Sequence, residues 1–104
     1  DLHSFPTRRS SDLNLYINES AEIFKALSHP VRLKIVCGLL KKEVCNVNSL
    51  AEGLKLPQPT VSQHLNILKN AGIISGSRKG TSICYCVNNK EIRAIIKKLN
   101  ICGF

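Results

Sequence analysis

Five cysteines and one run of amide and hydroxyl side chains hold most of the chemistry open to this 104-residue chain. The cysteines are Cys37, Cys45, Cys84, Cys86 and Cys102. A thiolate is both a nucleophile and a soft metal ligand, so each could serve in thiol exchange, oxidation or metal binding. Their odd number, with no secretion-signal pattern, argues against a disulfide framework and points to the reducing cytoplasm. Cys37 lies between Lys34 at i−3 and Lys41 at i+4, and those cations favour its thiolate. Cys102 falls at the end of the last predicted helix, where the dipole disfavours a thiolate and Lys98 one turn back partly offsets it. Taken singly, each cysteine also reads as a small buried hydrophobe. The second chemistry is hydrogen bonding to bases. Gln58, Thr60, Ser62, Gln63, His64 and Asn66 crowd one stretch, with little of the Glu/Lys mixture of an ordinary solvated face.

The elements that must position these residues follow from periodicity. Asn48 to Gly72 reads as two helices joined by a tight turn. Asn48 or Ser49 caps the first, and Ser49 with Glu52 fits a capping box. Pro57 pushes Leu56 out of the helical region, and Pro59 suits the first turn of the next helix. Val61, Leu65, Leu68 and Ala71 form one apolar stripe, and Gly72 supplies the C′ glycine. This is a helix-turn-helix whose second helix presents a polar face to a major groove. An αα-hairpin inside a helical core is the plainer alternative.

Upstream, Ile17, Ala21, Phe24 and Leu27, with Ile23 beside them, mark a helix from Leu15 to Leu27. His29 or Ser28 caps a second helix, Pro30 to about Leu40, whose inner face is Val31, Leu33, Ile35, Val36, Leu39 and Leu40 with Cys37 at its edge. Val44 to Val47 is expected to be a short extended link. Downstream, residues 73–76 and 83–87 read as strands around a basic turn, Ser77 to Ser82. Alternation puts Ile83, Tyr85 and Val87 on the core face and Cys84 with Cys86 on the other. Arg78 and Lys79 at the tip would make this hairpin a wing that lays cations along phosphate; a solvated tip is the plainer reading. A last helix, Asn89 to Ile101, carries Ile92, Ile95, Ile96 and Leu99. The first and last helices are expected to bury these stripes against a second subunit. The fold class is therefore mainly α with a small β-hairpin, a winged helix-turn-helix in the order α-α-α-α-β-β-α.

Residues 1–13, D-L-H-S-F-P-T-R-R-S-S-D-L, stand apart: they lack periodicity and resemble a translated sequencing adapter. They are read as non-native, leaving residues 14–104 as the DNA-binding and dimerisation domain. Lys and Arg total 15 against 7 Asp and Glu, a net charge of +8. That surplus suits a polyanion, and no apolar run approaches the roughly 20 residues that span a bilayer. Membrane association is not expected. Arg8 and Arg9 leave together with Asp1 and Asp12, so the charge argument survives the exclusion.

Three segments carry a family resemblance: F-K-A-L-S-H-P-V-R-L-K-I-V, N-S-L-A-E-G-L and Q-P-T-V-S-Q-H-L-N-I-L-K-N-A-G-I-I. Together they closely resemble the ArsR/SmtB family of bacterial repressors, strongly from about Ile23 to Val87. The resemblance implies a homodimer joined by its first and last helices. It also implies repression relieved when an inducer binds or modifies the dimer. Two reading helices about 34 Å apart would call for double-stranded operator DNA with an imperfect inverted repeat.

Branches of that family differ in what they sense. One metal-sensing branch carries E-L-C-x-C-D, where this chain has E-V-C-N-V-N-S with Cys45 alone. Another uses Asp and His on the last helix, and residues 89–104 contain neither. No metal ligand set or cofactor is therefore expected, since zinc wants four convergent ligands. The persulfide-responsive BigR/SqrR-type branch pairs a cysteine in a context like R-L-x-x-V-C with one near the end of the last helix. R-L-K-I-V-C ends at Cys37 and L-N-I-C at Cys102, so the resemblance implies a redox-sensing pair, Cys37 and Cys102. A cysteine-liganded metal sensor and a winged-helix protein-interaction module are the alternatives. An enzyme is not expected: Glu19, Glu22, Glu43, Glu52 and Glu91 offer no general acid/base pair, and no phosphate loop is present.

Overall fold

Chain order sets the architecture, because each apolar stripe must meet the next. The computed structural model describes residues 10–42 and 44–103. Among these lie five helices and one hairpin: α1 (Ser10–Leu27), α2 (Pro30–Leu40), α3 (Val47–Leu54), α4 (Gln58–Asn70), β1 (Ile74–Lys79), β2 (Ser82–Val87) and α5 (Lys90–Leu99). This is the winged helix-turn-helix order read from the residues. No helix of the described residues is long and apolar enough to cross a membrane.

The core sits where α2, α3, α4, the base of the hairpin and α5 converge. Ile35, Val36, Val61, Leu65, Leu68, Ile73, Val87 and Ile96 are its largest fully buried side chains. Each large aliphatic so placed contributes about 1.5–3 kcal/mol over leaving it in water. The stripe Val61–Leu65–Leu68 is therefore what fixes the rotation of α4 and chooses which side chains face out.

The helix ends show where local reading held and where it slipped. His29 caps α2, its Nδ1 accepting the Val31 N–H at 3.1 Å, as expected for one of the two candidates. The α3 cap is neither Asn48 nor Ser49. Asn46 Oδ1 accepts the Ser49 N–H at 2.8 Å, so the helix starts at Val47 and the extended link is shorter than expected. Gly72, at φ +78°, closes α4 as anticipated: its N–H reaches Lys69 O at 3.0 Å and the Ile73 N–H reaches Leu68 O at 3.0 Å.

Two boundaries also moved, and one expected core residue is exposed. Helix α1 begins at Ser10, inside the segment read as non-native; residues 1–9, with Glu43 and Phe104, lie outside the described residues. Arg78 and Lys79 belong to β1, because cross-strand pairing continues to Lys79↔Ser82 and leaves only Gly80-Thr81 as the loop. Gly80, at φ +63°, supplies the left-handed residue a two-residue hairpin loop needs. Ile83 is not a core residue; it lies over Gly76 on the upper part of the wing and is 39% exposed.

The two outer helices leave apolar surface uncovered. On α1, Ile17 and Phe24 are each 54% exposed, and on α5 Ile95 and Leu99 are 37% and 59% exposed. A groove lined by Ile23, Phe24, Ile92 and Ile95 runs between the two helices, so these side chains share one surface. The radius of gyration, 15.7 Å, exceeds the roughly 13 Å of a compact hundred-residue domain, and the long axis reaches 49 Å.

Candidate nucleic-acid interface and thiol pair

The α3–α4 unit is a tight one. Lys55 takes the left-handed conformation at φ 58°, and the Leu56 N–H reaches back to Ala51 O at 3.1 Å, which turns the chain within three residues. Pro57 then precedes α4 and no side chain caps that helix. Its first-turn amides therefore lack a side-chain acceptor, the arrangement in which a helix start receives a phosphate oxygen. Along α4, Gln58, Gln63 and Asn66 are exposed, while Thr60 and Ser62 are half-buried at the flanks of the stripe. Five of the six side chains singled out for base contact thus lie on the helix surface or its flanks.

His64 is the sixth, and it is turned elsewhere. Arg32 Nη1 lies 3.3 Å from His64 Nδ1, and the His29 and His64 rings are 4.7 Å apart. Arginine only donates, so His64 Nδ1 accepts and the neutral ring carries its proton on Nε2. The same Arg32 donates through Nε to Ala26 O at 2.6 Å, satisfying one of the carbonyls at the end of α1. Arg32 and His64 form a strut from the α1–α2 corner to the reading helix. The motif H-P-V-R-L marked this stretch as unusual, but nothing in its spacing points to a partner 32 residues away.

Burial, then the neighbouring His29 and Arg32, hold the His64 pKa below the ordinary histidine value. The unfolded chain accordingly binds a proton more readily than the native one at this site. Its contribution to stability is full above the ordinary histidine value and is lost as pH falls from there through the lowered native value. Urea midpoints of the wild type should drop across that window. H64Q, which cannot titrate, should show a shallower slope; an identical slope would remove His64 from the account.

The wing root is fastened on both sides. Arg93 Nη2 donates to Val87 O at 2.6 Å, and Asn89 Nδ2 donates to Gly72 O at 3.4 Å. Arg78 and Lys79 are both exposed, but as successive strand residues they point to opposite faces of the hairpin. They can therefore approach a duplex only from different sides of the wing.

The thiols fall into two groups. Cys37 and Cys102 are joined in a disulfide, with 5.3 Å between their Cα atoms and 65 residues between them along the chain. The reason they meet is a helix end that sequence reasoning misplaced. Helix α5 stops at Leu99, not Ile101, and Asn100 takes the left-handed conformation at φ 54°. Asparagine tolerates that region, and the turn swings Cys102 back onto α2. An open cleft of about 470 Å³ beside the bond is lined by Leu33, Lys34, Cys37, Lys41, Ile101 and Cys102. Cys45, Cys84 and Cys86 are not disulfide-bonded. Among the described residues no group of three or more His, Cys, Asp or Glu side chains is gathered to hold a metal ion.

A family described as bacterial regulatory protein, arsR family, matches residues 29–75, the span from the α2 cap to the first strand. Over 84 residues the chain is 43% identical to the transcriptional repressor PagR of Bacillus anthracis, covering 81% of this chain and 84% of that protein. The chain belongs to the ArsR/SmtB family of transcriptional repressors. The PagR crystal structure superposes with a TM-score of 0.75 over 84% of this chain and 99% of that one, at 41% identity. The transcriptional repressor BigR of Xylella fastidiosa superposes at 0.72 over 89% and 94%, at 33% identity. A homodimeric winged helix-turn-helix domain from Mycobacterium bovis shares the fold at a TM-score of 0.79 over 95% and 90%, with 22% identity. Membership in this ArsR/SmtB family makes the protein a DNA-binding repressor and not an enzyme.

Proposed function

We propose that this ArsR-family repressor works as a cytoplasmic homodimer on an imperfect inverted repeat and lets go when Cys37 and Cys102 become linked. Gln58, Thr60, Ser62, Gln63 and Asn66 read base edges, Arg78 and Lys79 anchor phosphates, and His64 braces the reading helix. In the reduced dimer the two α4 helices match successive major grooves. A persulfide transfers its outer sulfur to the Cys37 thiolate, which leaves a thiol and a Cys37 persulfide. The Cys102 thiolate then attacks the sulfur bound to Cys37 and expels hydrosulfide, closing a disulfide. If Cys102 has also been persulfidated, the same closure gives a trisulfide. A two-electron oxidant reaches the plain disulfide directly. Either bridge ties the end of α5 to the middle of α2 and shifts the dimer from its DNA-binding geometry.

The observation that carries this reading is the Cys37–Cys102 bond itself, made across 65 residues by two elements that share no other covalent tie. The likeness to BigR, 33% identical, is its second support. Base readers and phosphate anchors are separable by experiment. Gln63→Ala should cost roughly 1–3 kcal/mol on the operator and relax base preference. Arg78→Ala should weaken all sequences alike and flatten the salt dependence by about one unit of slope. Fluorescence anisotropy on operator and random duplexes, each at several salt concentrations, reads both. Two variants that behave identically on both duplexes would refute the division of roles.

A further inference from the structure

A repressor released by a bridge must have that bridge reopened before it can bind again. Lys34 and Lys41 stand one turn before and one turn after Cys37, which puts two cations and a sulfur on one face. The turn at Asn100 then brings Ile101 and Cys102 back to that face. The product is the open cleft of about 470 Å³ beside the Cys37–Cys102 bond. Leu33 and Ile101 give it apolar walls, and Lys34 and Lys41, both exposed, give it two ammonium groups. Both bonded cysteines are only half-buried, so the bond can be approached from this cleft. On its other side Cys102 lines a smaller cleft of about 260 Å³ together with Lys97. No Asp or Glu among the described residues lines either cleft.

We propose that the larger cleft receives a small carboxylate-bearing thiol that reopens the bridge, a role that rests on the bridged protein being the form that leaves DNA. The volume falls within the range that small-molecule ligands fill. The carboxylate pairs with the lysines, the short carbon spacer lies along Leu33 and Ile101, and the thiolate faces the bond. It attacks the Cys102 sulfur and expels Cys37, whose flanking cations make it the better leaving group. The small thiol is now held on Cys102 as a mixed disulfide. A second thiolate attacks the small-molecule sulfur of that adduct, expels the Cys102 thiolate and departs as the symmetric disulfide. Two small thiols are oxidised and one protein disulfide is reduced. The two protons that the small thiols give up pass through solvent to Cys37 and Cys102.

Charge is the selective feature. An ammonium is a compact point charge, so the cleft should favour a negative group beside the attacking thiol and disfavour a positive one. A neutral thiol of similar size would gain the apolar contacts alone.

The test uses the full chain with its bridge closed and confirmed by intact mass. Mercaptopropionate, mercaptoethanol and cysteamine carry a negative charge, no charge and a positive charge beside the thiol. Opening is followed by alkylating the released thiols and mapping Cys37 and Cys102 by peptide mass. Each wild-type rate is divided by the rate of the same reagent on Lys34→Gln/Lys41→Gln, which cancels the reagent's own reactivity. Losing the cations beside Cys37 as leaving group slows every thiol. Mercaptopropionate should lose a further factor of roughly five to thirty, as two exposed ion pairs would give, and that factor should shrink at high salt. Cysteamine should be slowed least. Lys34→Glu should move the preference towards cysteamine, a gain that damage to the fold does not produce. Lys25→Gln/Lys90→Gln, which removes as much charge elsewhere, should keep the wild-type preference. One common factor for all three thiols, or an undiminished preference in Lys34→Gln/Lys41→Gln, would overturn the proposal. Operator binding on the same samples keeps the two readings apart. Bridged protein that still holds its operator defeats release and the reset role with it; release followed by charge-blind opening defeats the cleft alone.

Discussion

Leu99→Asp should turn the protein into a folded monomer whose operator affinity falls roughly 10²–10⁴-fold, the avidity lost when a second half-site can no longer be engaged. Helix α5 divides its apolar side chains between two surfaces. Ile92 and Ile96 point into the protomer's own core, 3% and 2% exposed, whereas Ile95 and Leu99 point out at 37% and 59%. Phe24 and Ile17 of α1 are exposed to a similar degree, and the groove between the helices brings Phe24 and Ile95 onto one apolar surface. Contiguous apolar surface of this kind marks an interaction site. A charge at Leu99 meets only solvent in the monomer, so stability should change by no more than about 0.5 kcal/mol. A charge at Ile96 would instead enter the core and report on folding. Sedimentation at micromolar concentration should show a wild-type dimer and a variant monomer. A dimeric variant, or a monomeric wild type, would remove these helices from the interface.

The second large effect concerns the thiol pair. Persulfide treatment should dissociate wild type from its operator and leave both Cys37→Ser and Cys102→Ser bound. The two variants should differ in their adducts. Cys102→Ser keeps the cysteine flanked by Lys34 and Lys41, so it should accumulate a persulfide at Cys37 that nothing resolves. Cys37→Ser should react more slowly at this pair, because Cys102 lies beyond the end of α5, where the dipole disfavours its thiolate. Intact mass with gel-shift on the same samples separates the steps. Release that persists in both variants would take this pair out of the mechanism and turn attention to Cys45, Cys84 and Cys86.

How much of this could be read from residues depended on the range over which each signal acts. The stripe Val61–Leu65–Leu68, the His29 cap and the Gly72 terminus are local, set by the neighbours within one or two turns, and they were legible. Asn46 was hidden because two better-looking caps follow it within three residues. Asn100 was hidden because Ile101 continues an apolar pattern that the left-handed turn ignores. The Arg32–His64 strut joins residues 32 positions apart, where periodicity carries no information. Cys37 and Cys102 were singled out only by likeness to a family; no spacing rule brings residues 65 apart together.

Operator affinity of one preparation, measured fully reduced and then with the Cys37–Cys102 bridge closed, tests the central claim most directly. Reduced protein should prefer its operator over random DNA by at least about a thousandfold, as specific binders do. Bridged protein should fall to the random-DNA level. Equal operator affinity in the two states, or a reduced protein with no preference over random DNA, would contradict it.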